Sequence, residues 1–221
     1  MGKLSNIISA ITKSTSSSDE WVLGTDTSHW AGNINFDKMV KAGAKFWITK
    51  ASDSYVSGGK AYLFEDSRFN EYCEKVYSNK RLLTGCYHWL QPHVDPIVAA
   101  KFYLERYKRF DFDFPPVLDF EEPKVLQTKK YSDYSWRAEE WCRYVQAETG
   151  RKPIIYTAQW FMGNFPQKYV SWLSAYPLWV AFYNKWYGEV AKYIPDKYIP
   201  YPWKEWTIWQ FSADGNRRGN E

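Results

Sequence analysis

At 221 residues the chain is long enough for one large domain with a sizeable core, and its 45% hydrophobic content excludes a disordered one. A net charge of +4, scattered along the chain, is too weak to argue for nucleic acid. No apolar run reaches the roughly 20 residues a membrane-spanning helix needs, so no membrane insertion is expected.

Cys73, Cys86 and Cys142 are an odd and widely spaced set, which gives neither a Cys-x-x-Cys metal site nor a disulfide framework. Buried free thiols are expected, and without a glycine-rich phosphate loop no cofactor is called for. The 13 Trp and 18 Tyr exceed what a core alone requires. Core packing accounts for most of them, and a few are expected to present a flat face to a sugar ring in a cleft.

Taken in order, residues 1–20 differ in character from the rest. Residues 14–18 form a Ser/Thr run typical of a flexible leader or linker, and the apolar stretch before it is too short and interrupted for a secretory core. The myristoylation pattern is incomplete because position 6 is Asn. Residues 1–20 are therefore expected to form a leader or linker and 21–221 a single domain, a monomer.

From Trp21 onward, strand-like and helix-like segments alternate. Strands are predicted over 22–27, 46–50, 82–89, 117–121, 153–157, 178–182 and 206–211. Helices are predicted over 36–42, 67–77, 96–109, 134–149 and around 169–174. The helix at 96 is entered from Asp95 with proline at its first turn, and the one at 149 is closed by Gly150. Repeated strand–helix–strand units imply parallel strands with right-handed crossovers. Seven strands are one short of a closed eight-stranded barrel.

The stretch 115–123, Pro-Pro-Val-Leu-Asp-Phe-Glu-Glu-Pro, carries two acids in an otherwise buried strand. Alternation along the strand puts Asp119 and Glu121 on one side, with Cα atoms roughly 6.6 Å apart. Two carboxyls so close and partly removed from water cannot ionise independently, so one is expected to keep its proton near neutrality. That pairing suits cleavage of a glycosidic bond. Other polar residues recur where strands end: Asp26 after the first, Asp53 after the second, His88 and Trp89 at the third, Tyr156 on the fifth, Tyr183 past the sixth and Gln210 on the last. Carboxyl ends of several strands meeting in one cleft is the pattern of barrel enzymes. With three His and no second one in a ligand pattern, a metal is not expected.

Together these residues resemble the family 25 glycoside hydrolases, the N-acetylmuramidase lysozymes. The likeness rests on Gly24-Thr25-Asp26-Thr27-Ser28-His29-Trp30 with Gly32-Asn33-Ile34-Asn35-Phe36, on Thr49-Lys50-Ala51, on Gly85-Cys86-Tyr87-His88-Trp89, and on Pro116-Val117-Leu118-Asp119-Phe120-Glu121. Later segments, Pro153-Ile154-Ile155-Tyr156-Thr157, Leu178-Trp179-Val180-Ala181 and Trp209-Gln210-Phe211, follow in the family's order. The resemblance implies an α/β fold, a modified TIM-like barrel of five β/α units followed by three strands lacking full helices. It implies hydrolysis of the β-1,4 bond between N-acetylmuramic acid and N-acetylglucosamine in bacterial peptidoglycan, and hence action at the cell wall.

On that resemblance Glu121 carries over as the general acid/base, with Asp119 and Asp26 as its carboxylate partners. Asp119 either attacks the sugar or steadies the substrate's own acetamido group; strand geometry fits both. Expected substrate contacts are Asp53, His88, Trp89, Tyr87, Trp30, Tyr156, Tyr183, Gln210 and Asp214. Asp53 stands where the family commonly has a glutamate. The family's closing Asp-Leu-Asn is not matched, so either the C-terminus is truncated or Asp214 supplies that acid. A chitinase-like site would need a third acid at position 117, where this chain has Val117. The remaining alternative is a wall-binding module of the same fold with impaired turnover.

Overall fold

A computed structural model describes residues 10–13, 21–78, 81–183 and 198–213. The sheet is made of β1 (Ala10–Lys13), β2 (Trp21–Thr27), β3 (Phe46–Ser57), β4 (Lys60–Glu65), β5 (Leu83–Trp89), β6 (Val117–Asp119), β7 (Ile154–Ala158), β8 (Leu178–Ala181) and β9 (Ile208–Gln210). The helices are α1 (Phe36–Lys41), α2 (Phe69–Tyr77), α3 (Pro96–Tyr107), α4 (Lys124–Thr128), α5 (Tyr131–Thr149), α6 (Gln159–Met162) and α7 (Gln167–Val170). None of the helices among the described residues is long and apolar enough to cross a membrane.

Seven strands run parallel in the order β2, β3, β5, β6, β7, β8, β9. The expected eighth lies where the sequence reading placed only a leader. Strand β1 pairs antiparallel with β9 on one side, Ile11 opposite Trp209, and with β2 on the other, Ile11 opposite Leu23. Through β1 the sheet becomes a closed ring of eight strands, which satisfies the edges that β2 and β9 would otherwise expose. Residues 10–13 therefore belong to the sheet, a correction to the boundary drawn at 20. A strand of only four residues, flanked by a Ser/Thr run and with its other partner at the far end of the chain, carries no periodic signal of its own.

The expected modified barrel is present, with helices after β2, β3, β5 and β6, and only short helical turns after β7. Where sequence and structure differ, local chemistry explains it. Strand β3 runs on to Ser57 and turns back through Gly58 and Gly59, both at positive φ (55° and 75°), into β4. A two-residue loop with both central residues left-handed is the twist-matched hairpin turn that glycine permits. Conversely, the strand predicted to 121 ends at Asp119: Phe120 O accepts from the Thr157 hydroxyl at 2.8 Å, and the chain then turns into α4.

Caps hold the helices as the sequence suggests. Asp95 accepts from Ile97 N and Val98 N ahead of Pro96, and Asn35 accepts from Lys38 N; each cap is worth about 1 kcal/mol. The outer layer between sheet and helices is aromatic. Trp47 of β3 meets Phe36 of α1 and Tyr72 of α2 edge-on at 5.3 and 6.3 Å, while Trp141 of α5 packs against Tyr103 of α3. Gly24 is required by the ring of Phe46 on the neighbouring strand: a Cβ there would sit 2.3 Å from it.

Candidate active site

The carboxyl end of the barrel holds a cavity of about 160 Å³. Its walls come from six strands: Asp26 from β2, Tyr87 and Trp89 from β5, Asp119 from β6 with Glu121 just past it, Tyr156 from β7, Trp179 from β8 and Gln210 from β9. Larger hollows of about 560 and 770 Å³ open around the strand starts, at Leu83–Thr84 and Pro177–Leu178. Size does not choose between them; the convergence of acids at the carboxyl ends does.

Asp119 is buried, and its Oδ1 has no hydrogen-bond partner among the described residues. Burial pushes its carboxyl far up, the neighbouring Glu121 adds to the rise, and the Lys50 ammonium opposes it. Glu121 is pushed up to about 7, chiefly by burial and then by the charges of Asp26 and Glu122. The two carboxyls titrate as a pair, so one proton stays on them near neutrality, as the Asp-x-Glu spacing predicts. A buried acid that lines a cavity and keeps an unmet oxygen is costly to the fold and useful to chemistry.

Asp26 is fixed from across the ring. The side-chain amide of Gln210 donates to both carboxylate oxygens at 2.9 Å, while its carbonyl oxygen accepts from Tyr156 OH at 2.7 Å and Tyr183 OH at 2.8 Å. Burial raises both phenols well above their ordinary range, so they stay neutral donors. One glutamine thus ties β2, β7, β9 and the segment after β8 into one polar frame.

Lys50 and Asp53 form a second frame beside the cavity. Lys50 Nζ donates to Asp53 Oδ2 at 2.5 Å and lies 4.5 Å over the Trp89 ring, while Asp53 Oδ1 accepts from Ser54 N. Asp53, expected to touch substrate, pairs with Lys50 beside the cavity. A second correction concerns His88. Tyr87 and Trp89 face the cavity, so alternation sends His88 to the other side of β5. There it is fully buried, stacked on Trp141 at 5.9 Å with planes 7° apart, and hydrogen-bonded through Nδ1 to Ser52 Oγ at 2.9 Å. Burial lowers it to about 3, and it stays neutral within the core.

Trp30 sits on the turn His29–Ala31, 85% exposed, beyond the cavity wall. Asp214 lies outside the described residues. The sequence reading missed Trp179 as a wall residue, although its place on β8 between inward neighbours marks it. Glu122, the next acid along the chain, faces away: Gln91 Nε2 donates to it at 2.8 Å and Lys124 N at 3.1 Å.

Comparison with known proteins agrees with this geometry. A model of the glycosyl hydrolases family 25 matches residues 25–220. The chain is 28% identical over 196 residues to the uncharacterized Escherichia coli protein YegX, covering 89% of this chain and 65% of that one. It is 27% identical over 208 residues to a Streptomyces globisporus lysozyme, covering 90% and 64%. It thus spans about 65% of the length of the first curated relatives it matches. Among solved structures, a family 25 lysozyme from Aspergillus fumigatus superposes with a TM-score of 0.68 at 27% identity, covering 86% of each chain. A bacterial lysozyme from Streptomyces coelicolor gives 0.69 at 24% identity, covering 88% and 87%, a likeness of fold. From the first acid-bearing strand to the last, the chain belongs to the family 25 glycosyl hydrolases.

Proposed function

We propose that this chain is a muramidase that hydrolyses the β-1,4 bond between N-acetylmuramic acid and N-acetylglucosamine in bacterial peptidoglycan, with retention of configuration. The observation that carries the reading is the convergence of Asp26, Asp119 and Glu121 on one cavity, with Glu121 pushed up to about 7. A general acid works best with a pKa near the working pH, and an ordinary glutamate is some units too acidic for that.

In this reading Glu121 gives its proton to the glycosidic oxygen as the bond to the anomeric carbon breaks. Asp119 stabilises the positive charge that develops, either by attack or by orienting the acetamido oxygen that attacks in its place. Water then enters from the vacated side, its proton returns to Glu121, and two inversions leave the configuration unchanged. Trp89, Trp179 and Tyr87 offer the walls against which a sugar ring would lie. The action expected at the cell wall follows from this substrate.

The test is Glu121→Gln assayed on purified peptidoglycan with proton NMR of the released sugar. Wild type should release muramic-acid reducing ends, the β-anomer first, and the variant should be at least about a hundredfold slower while still binding wall. A wild type that binds wall and releases no ends would make the chain a binding module. Release of the α-anomer first would rule out retention.

A further inference from the structure

The ribbon β3–β4 stands above the barrel mouth and carries aromatic surface that the core does not use. Strand β2 ends at Thr27, opposite Thr49, and β5 ends one residue past the Ser52–His88 pair. The last four residues of β3 therefore rise roughly 13 Å beyond their neighbours. Asp53 pairs with Phe64 and Tyr55 with Tyr62, two residues apart on both strands, so all four lie on one face of the ribbon. Tyr55 and Tyr62 stack with centroids 5.3 Å apart and planes 19° apart, and Tyr55 meets Phe64 at 5.8 Å. The two tyrosines nonetheless remain 50% and 43% exposed.

The foot of that face is continuous with the active-site wall. Asp53 holds Lys50, and Lys50 lies over Trp89, which lines the cavity. Beside the foot, Asp66, directly after β4, accepts from both the backbone N–H and the ring Nδ1 of His29, which anchors the exposed Trp30 to the base of the ribbon. Apart from Lys60 at the turn, the exposed part of the face is uncharged: Tyr55, Ser57 and Tyr62.

We propose that the Tyr55–Tyr62 face is an outlying glycan subsite that stacks a neutral N-acetylhexosamine ring of the same strand, beyond the bond being cleaved. The inference rests on the muramidase reading. Flat, neutral aromatic faces suit the C–H face of a pyranose, whereas an acidic stem peptide would call for clustered cations. Contacts made far from the reacting bond and equally in ground and transition states lower KM without changing kcat.

The experiment compares wild type, Tyr55→Val/Tyr62→Val and Tyr55→Phe/Tyr62→Phe in the full chain. Valine keeps a strand-forming cross-strand pair while removing the rings. Substrates are peptide-free glycan strands many disaccharides long and a purified tetrasaccharide fragment. The valine pair should raise KM on long glycan about tenfold with kcat held, leave tetrasaccharide hydrolysis unchanged, and be matched to wild type when phenylalanine restores the rings. Unchanged KM on long glycan, or an equal loss on both substrates, overturns the subsite. A wild type that releases no reducing ends from either substrate overturns the muramidase reading itself, and the subsite with it.

Discussion

The two faces of strands β5 and β6 make opposite use of neighbouring residues. The inner face presents Tyr87, Trp89 and Asp119 to the cavity, with an acid whose oxygen is unmet. The outer face presents Cys86, His88 and Leu118 to α3 and α5, where Tyr103 OH donates to Cys86 O at 2.8 Å and His88 lies flat on Trp141. Both faces bury polar groups. On the outer face aromatic packing and hydrogen bonds offset part of the cost, with His88 Nε2 and Trp141 Nε1 left unpaired among the described residues; on the inner face an unpaired atom belongs to an acid, and the raised protonation of the acid pair is what chemistry would draw on.

The comparison breaks most sharply at Asp119. Asp119→Asn keeps shape but removes the carboxyl that would attack the sugar or orient its acetamido group, so hydrolysis of peptidoglycan should fall at least about a hundredfold. The same change relieves a buried carboxyl, so the melting temperature should hold or rise. Parallel loss of activity and stability, read by a reducing-end assay and thermal unfolding, would show that Asp119 is part of the scaffold instead.

His88→Ala is the mirror experiment. It should cost about 2–3 kcal/mol of stability by opening a cavity against Trp141 and leaving Ser52 unpaired, measured by denaturant unfolding. The kcat and KM of the remaining folded enzyme should stay within about twofold of wild type, because no atom of His88 reaches the cavity. A large kcat loss at intact stability would return His88 to the site.

How much of this was legible in the sequence follows from the same alternation. Asp119 and Glu121 were placed on one side of a strand by period alone, and Gln210 and Tyr156 by their position at strand ends. His88 was misassigned because strand-end position was weighed without the alternation that sends Tyr87 and Trp89 inward. The ribbon lies past the strand predicted over 46–50, although Gly58-Gly59, flanked by Tyr55 and Tyr62, is a strong hairpin signal. Strand β1 and the ring closure were not readable, because the strand is only four residues long and its pairing with β9, at the far end of the chain, leaves no local trace.

The smallest effect expected sharpens the inner face further, through pH. Glu121 is pushed up to about 7, so kcat/KM should fall as pH rises through that value and the free enzyme loses its acid. Burial is the larger cause of the rise and Asp26 the next. Asp26→Asn removes a negative charge that favours the protonated form, so the alkaline limb should move to lower pH, though not as far as an ordinary glutamate, because burial remains. The folded state binds the Glu121 proton more tightly than the unfolded chain does. This group's contribution to stability is therefore full below the ordinary carboxylate range and declines as pH rises through about 7. Glu121→Gln should flatten that part of the stability profile, and Asp26→Asn should shift it acidward together with the activity limb. If the limb stays in place in Asp26→Asn while the stability profile moves, the group that limits the rate at alkaline pH is not Glu121.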